Sequence, residues 1–206
     1  MADISAILFD VGGVLLTNGW DHLARAAAAE RFKLDPHEFE ERHRLAFPPY
    51  EEGRLSLEEY LGLTVFYRRR NFSASSFRAF IFAQSKALPG ALECFKRIKQ
   101  RHGLKVLVLS NEGREINAYR LEKFKLPSWV DFFVSSCFVG LRKPDPAMLG
   151  LALDQAQVPA RQLLYIENTR LFVEVARSQG LRSILHTDLA STRKELAALG
   201  LGDTPG

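Results

Sequence analysis

The sequence is short of cysteine, of long apolar runs, of strong charge of one sign and of repeats, and each shortage excludes something. Cys94 and Cys137 are the only cysteines among 206 residues. Two thiols without a C-x-x-C spacing make neither a disulfide scaffold nor a structural zinc site, and they favour a reducing compartment. The start, MADISAILFD, ends its apolar stretch at Asp10. A membrane span needs about 18 apolar residues, and a secretory leader has a different pattern, so neither is expected and the cytoplasm is the expected location. The five histidines, His22, His37, His43, His102 and His186, show no ligand spacing, and none is assigned to a metal. Charge is nearly balanced, with 28 basic against 24 acidic residues and a net charge of +4. The densest basic run, Arg68-Arg69-Arg70, follows an apolar-periodic segment, where cations complement a helix end, so nucleic acid is not an expected partner.

What is present suits a soluble domain: 47% apolar, 25% charged and 11% aromatic residues can bury a real core. Short runs rich in β-branched and aromatic residues predict strands at 6–9, 105–109, 132–135, 163–166 and 182–186. Helical patterns at 89–102, 112–124, 146–157, 169–179 and 191–199 separate or follow them. Strands alternating with helices of this length predict an α/β, doubly wound parallel sheet covered on both faces. The stretch 200–206 has too little apolar material to be ordered on its own account.

The alternation fails once. Between the first two predicted strands, residues 20–84 carry four helical patterns and no strand. The clearest begins at Ser56-Leu57-Glu58-Glu59, a capping box followed by an apolar face at Leu57, Tyr60, Leu61, Thr64 and Val65. Residues 18–87 therefore read as a small inserted α-helical domain, and 1–17 with 88–206 as the α/β core. Leu88-Pro89-Gly90 makes the return hinge.

In parallel sheets, ligands bind at the carboxyl ends of strands. Here the first strand runs into Asp10-Val11-Gly12-Gly13, and the second into Ser110-Asn111. Lys143 follows the third strand, and Glu167-Asn168 ends the fourth. Each is unremarkable alone, as a helix cap, strand end or turn, but in this fold all four converge on one pocket.

In this order the segments ILFDVGGVL, LSN, RKPDP and YIEN resemble the four motifs of the haloacid dehalogenase superfamily, and the resemblance covers essentially the whole chain. It implies that Asp10 is a nucleophile attacking phosphorus, that Ser110 and Lys143 contact the transferred group, and that 18–87 is the helical cap. It also implies magnesium, held by Asp10, the Gly12 carbonyl and either Glu167 or Asn168. The amides of Val11, Gly12 and Asn111 are expected phosphate donors. Tyr50, Glu52 and Arg54, read as a loop before the Ser56 helix, are expected to reach into the pocket and select the substrate.

Two positions depart from the family pattern. Gly12 stands where most of its phosphatases have an aspartate acid, worth about 10² to 10⁴ in rate, and Asn168 stands where they have an acidic metal ligand. Asp-x-Gly members resembling this chain hydrolyse sugar 1-phosphates, so a small phosphorylated metabolite, sugar phosphate in type, is the expected substrate. Two alternatives remain open here: a degenerate domain that binds without turnover, and a metal-free hydrolase of the haloacid dehalogenase type. The chain is expected to be a monomer or homodimer.

Overall fold

The computed structural model describes residues 4–203. Five strands, β1 (Ala6–Phe9), β2 (Lys105–Ser110), β3 (Phe132–Ser135), β4 (Leu163–Glu167) and β5 (Arg182–Leu185), form one parallel sheet in the order β3-β2-β1-β4-β5. The winding reverses at β1, which pairs with β2 on one side and β4 on the other. All four residues of β1 are apolar and buried because both faces of the sheet are covered.

In chain order the helices are α1 (His22–Phe32), α2 (Pro36–Glu51), α3 (Leu57–Thr64), α4 (Ala74–Ala83), α5 (Ala91–His102), α6 (Arg114–Lys123), the short α7 (Ser136–Val139), α8 (Pro146–Ala156), α9 (Arg170–Ser178) and α10 (Leu189–Ala198). Alternation along the strands divides the core. Ile7 and Phe9 cluster with Phe95 and Ile98 of α5 and Leu196 of α10. Ala6 and Leu8 cluster with Met148, Leu149 and Ala152 of α8 and Ala176 of α9.

Element ends depart from the sequence reading where glycines intervene. Gly90 has φ 71°, so α5 starts at Ala91 rather than at Pro89. Gly113 caps α6, leaving Glu112 in the loop. Leu201 packs into the core and Asp203 pairs with Arg97 and Arg193, so 200–203 is held by the fold, contrary to expectation. The remainder of that tail lies outside the described residues.

Helices α1 to α4 enclose a second, aromatic core that includes Trp20, Phe39, Tyr50, Tyr60 and Phe77, with Ile116 of α6 reaching into it. The capping box at Ser56 and Glu59 forms as expected. Arg70 donates to the Val65 carbonyl beyond α3 at 2.7 Å, the helix-end role expected of that basic run. The unit leaves and rejoins the core at one place. Thr17 N–H donates to Lys86 at 2.8 Å, and Leu88 N–H donates to Leu15 at 3.1 Å. Arg120 of α6 grips both crossings, donating to the Thr17 carbonyl at 3.1 Å and to Ser85 Oγ at 3.0 Å.

Candidate active site

Because β1 and β4 adjoin, Asp10 and Glu167 emerge side by side, and Lys143 bridges them. Its Nζ lies 3.0 Å from Asp10 Oδ1 and 2.7 Å from Glu167 Oε2. The Asn111 side chain braces the Lys143 backbone, accepting from its N–H at 2.8 Å and donating to its carbonyl at 3.0 Å. Phe172 covers the ammonium, its ring centre 5.0 Å from Nζ. Burial works against the Lys143 charge, but the two carboxylates outweigh it and hold the ammonium pKa above its ordinary value. Burial pushes the Asp10 carboxyl up to about 6, with Lys143 pulling it back.

Three expected roles change once the hydrogen bonds are traced. The Val11 amide donates to Asp10 Oδ1 at 2.8 Å, so it orients that carboxylate and is not free for phosphate. Glu167 is wholly buried, and both its oxygens are spent: Oε2 accepts from Lys143 and from Tyr165 at 2.6 Å, and Oε1 accepts from the Thr169 amide at 2.8 Å. Glu167 therefore anchors Lys143 and presents no exposed surface to a metal. Tyr50, Glu52 and Arg54 do not reach the cavity either. Helix α2 continues through Pro48 and Pro49, which places Tyr50 inside the helix, fully buried and stacked on Tyr60 at 5.2 Å. The carbonyls that those prolines leave without helical donors belong to Arg44 and Leu45, which lie on the exposed face of the helix. Glu52 and Arg54 pair with each other at 3.3 Å near the surface.

The cavity above Asp10 has a volume of about 240 Å³. Asp10, Gly12, Ser110, Asn111 and Lys143 form its floor, as the sequence reading expected of these residues. The helical unit contributes Trp20, Phe47 and Glu51, while Glu112, Arg120 and Arg142 complete the walls. The sequence reading missed Glu51, Glu112, Arg120 and Arg142. The usable signal for Glu51 was its helical spacing, four residues after Phe47, which puts both on one face once α2 is carried past the prolines.

Charges on these walls are paired. Arg120 meets Glu112 in a buried ion pair, and Ser110 Oγ donates to the same Glu112 oxygen at 3.4 Å. Arg142 Nη2 lies 2.5 Å from Glu51 Oε2. Burial pushes the Glu51 carboxyl up to about 7, with Arg142 pulling it back. The helical unit is fastened here too, since Ser136 Oγ donates to the Glu51 carbonyl at 2.7 Å and the Leu57 amide donates to Glu115 at 3.0 Å. The Tyr50 ring rests on Gly113, where a Cβ would lie 2.0 Å from it.

For a magnesium ion, this leaves one carboxylate, Asp10, and neutral oxygens from Gly12 and Asn168. The Asn168 amide packs over Gly13, where a Cβ would come within 2.0 Å of its Nδ2. Among the described residues, no three His, Cys, Asp or Glu side chains gather as a metal cluster. The donor set still fits magnesium, which is commonly held by one or two carboxylates, waters and the substrate's own phosphate.

The haloacid dehalogenase-like hydrolase family profile matches residues 4–170, through β1, the helical insertion and β4. The chain belongs to this family. Its relatives include the phosphoglycolate phosphatase of Pseudomonas savastanoi pv. phaseolicola, 28% identical over 96 residues that span 47% of this chain and 35% of that protein. This chain thus spans about a third of that relative's length. The phosphorylated carbohydrates phosphatase of Thermotoga maritima is 26% identical over 183 residues, covering 88% of this chain and 84% of that protein. Among solved structures, a family enzyme of Bacteroides thetaiotaomicron in complex with magnesium and inorganic phosphate superposes with a TM-score of 0.74 at 18% identity, covering 92% of this chain and 98% of its own. The L-2-haloacid dehalogenase of Xanthobacter autotrophicus superposes at 0.62, also at 18% identity, over 97% and 84% of the two chains. Both likenesses are of fold: a parallel sheet that brings its strand ends together beneath inserted helices.

Proposed function

We propose that the protein is a phosphatase of small phosphorylated metabolites, sugar phosphates in type, working through an aspartyl-phosphate on Asp10. One observation carries this reading. Asp10 Oδ1 is fixed by Val11 and Lys143, while Oδ2 has no hydrogen bond among the described residues, on a carboxyl that forms the floor of a cavity. A carboxylate presented in this way, with a buried ammonium beside it, is arranged to attack an electrophile rather than to cap a helix. The phosphatases among its relatives favour phosphorus as that electrophile.

In this reading Asp10 attacks the phosphorus in line with the ester oxygen, and Lys143 and Ser110 stabilise the charge on the phosphoryl oxygens. The amides of Gly12 and Asn111 remain the candidate backbone donors. Magnesium, held by Asp10, the Gly12 carbonyl and Asn168, would supply charge neutralisation and alignment of the phosphate. Residues 18–87 act as the cap, and Trp20 and Phe47 give the leaving group an apolar wall. The walls are mixed in charge, with Arg120 and Arg142 each answered by a carboxylate, which suits a neutral polyol better than a second phosphate. Among the described residues no helix is long and apolar enough to cross a membrane, and Cys94 and Cys137 are free thiols, in keeping with a cytoplasmic protein.

The test is a screen of phosphorylated metabolites with and without magnesium, repeated on Asp10→Asn. Magnesium-dependent release of phosphate that the variant abolishes is expected. Metal-independent release of halide from a 2-haloacid, or no turnover of any substrate, would refute the proposal.

A further inference from the structure

We propose that Glu51, carried over the core by α2, is the general acid and then the general base of the reaction, supplying from the cap the proton transfer for which Gly12 has no side chain. The inference rests on the phosphatase reading and adds to it the source of the proton.

Glu51 and Asp10 line the same cavity of about 240 Å³, Asp10 on its floor and Glu51 on the cap side. With the phosphate held on the floor by Lys143 and Ser110, the ester oxygen and the group beyond it point toward the cap. A proton donor for that oxygen has to come from there. Glu51 is buried, and Oε2 has no hydrogen bond within the protein. Arg142 Nη2 lies 2.5 Å from that oxygen and occupies it as an ion pair. Oε1 has no hydrogen bond among the described residues, so one oxygen of a carboxyl that lines the cavity is left for a ligand.

The other wall carboxylate does not suit the role. Glu112 is bound by Arg120, which is itself almost wholly buried, so a protonated Glu112 would strand a cation away from water. The partner of Glu51 is different: the Arg142 side chain is 30% exposed and stays solvated when Glu51 is neutral. The charged groups around Glu51 are Arg142 and Lys143, which favour its ionised form, and Glu112, which opposes it, with Asp10 and Arg120 lining the same cavity. Burial dominates, and the carboxyl is pushed up to about 7, the range in which a group can give and take a proton near neutrality.

The protons balance over the cycle. In the first half, the Asp10–phosphorus bond forms and the ester phosphorus–oxygen bond breaks, with the Glu51 proton passing to the departing oxygen to give a neutral alcohol. In the second half, the Glu51 carboxylate takes a proton from water as that water attacks phosphorus. The Asp10–phosphorus bond then breaks, inorganic phosphate leaves, and Glu51 is protonated again.

The experiment compares the wild type with Glu51→Gln on a series of phosphate monoesters running from p-nitrophenyl phosphate to an alkyl phosphate. Glu51→Gln is expected to lower kcat/KM on the alkyl ester by about 10²- to 10⁴-fold and to affect the nitrophenyl ester far less. On the nitrophenyl ester, rapid mixing should show a burst of one nitrophenolate per active site, because the phosphoenzyme forms but lacks its base. In the wild type, kcat/KM on the alkyl ester should fall as pH rises through about 7, and Arg142→Met, which removes the pull toward ionisation, should move that fall to higher pH. Arg142→Met also keeps the test open if Glu51→Gln folds poorly. Equal losses across the series, no loss, or a pH limb unmoved by Arg142→Met overturns the role of Glu51. A wild type that hydrolyses none of the esters overturns the phosphatase reading as well.

Discussion

The fit of cap to core can be tested at one atom. Gly113 caps α6 with φ −71° and ψ 148°, a conformation that alanine adopts freely. Gly113→Ala therefore adds no backbone strain, and most of its effect comes from the Tyr50 ring, 2.0 Å from where the new Cβ would sit. Overpacking of this kind costs about 1–3 kcal/mol, and replacing glycine by alanine at a helix N-cap adds roughly 0.5 kcal/mol. The strain could be relieved by undocking Tyr50. A buried aromatic ring covers about 150–250 Å², which at roughly 25 cal/mol per Å² makes undocking cost about 4–6 kcal/mol. Undocking loses, so the cap stays down but displaced. A misplacement on the order of 1 Å in a catalytic constellation can cost about 10²-fold in rate. Urea unfolding of Gly113→Ala should show a loss of about 2–3 kcal/mol, and kcat/KM on an aryl phosphate should fall on the order of 10²-fold. Tyr50→Ala removes the obstacle, so in the double variant the Gly113→Ala penalty should largely vanish. Additivity of the two substitutions to within about 0.5 kcal/mol would refute the contact as the cause.

Three further outcomes follow from the site. Asn168→Asp adds a charge beside Gly13 and should lower the magnesium concentration that gives half-maximal rate; an unchanged magnesium titration would remove residue 168 from the metal's surroundings. Arg120→Ala leaves Glu112 buried without its cation and should cost about 3–5 kcal/mol in urea unfolding, much of it recovered in Arg120→Met with Glu112→Gln. Glu51 binds its proton more tightly in the folded protein, with a pKa of about 7, than in the unfolded chain. The Glu51 contribution to stability should therefore decline as pH rises from about 4.5 to about 7, and Glu51→Gln should gain relative to the wild type over that window, on the order of 2 kcal/mol. Thermal melts at pH 5 and pH 8 measure the difference, and a constant offset between the two proteins would contradict it.

The sheet was legible because the strands other than β5 are short apolar runs punctuated by a polar strand end. The polar residues that interrupt those runs, Asp10, Ser110 and Glu167, are the ones the winding gathers. Helix α2 misled the reading of the cap, since two adjacent prolines signal a stop, yet the helix runs through them to Glu51. That error assigned the pocket to Tyr50, Glu52 and Arg54 rather than to Glu51. The roles of Val11 and Glu167 were hidden for another reason. A donor or acceptor can serve one partner or another, and only the traced hydrogen bonds show that the Val11 amide and both Glu167 oxygens are already used.

The adjacency of the two crossings, where Leu16 pairs with Ala87, bears on how the chain folds. Ala6 of β1 must find Lys105 of β2 across the whole insertion, a closure that a flexible loop of that length makes slowly. Helices form from local contacts, so α1 to α4 can collapse around their own aromatic core before the sheet exists. Once they do, both ends of the insertion emerge at one point, and the search for Lys105 is shortened to that of a much smaller loop. A cap that collapses first would thus serve as a template for the central strand pair.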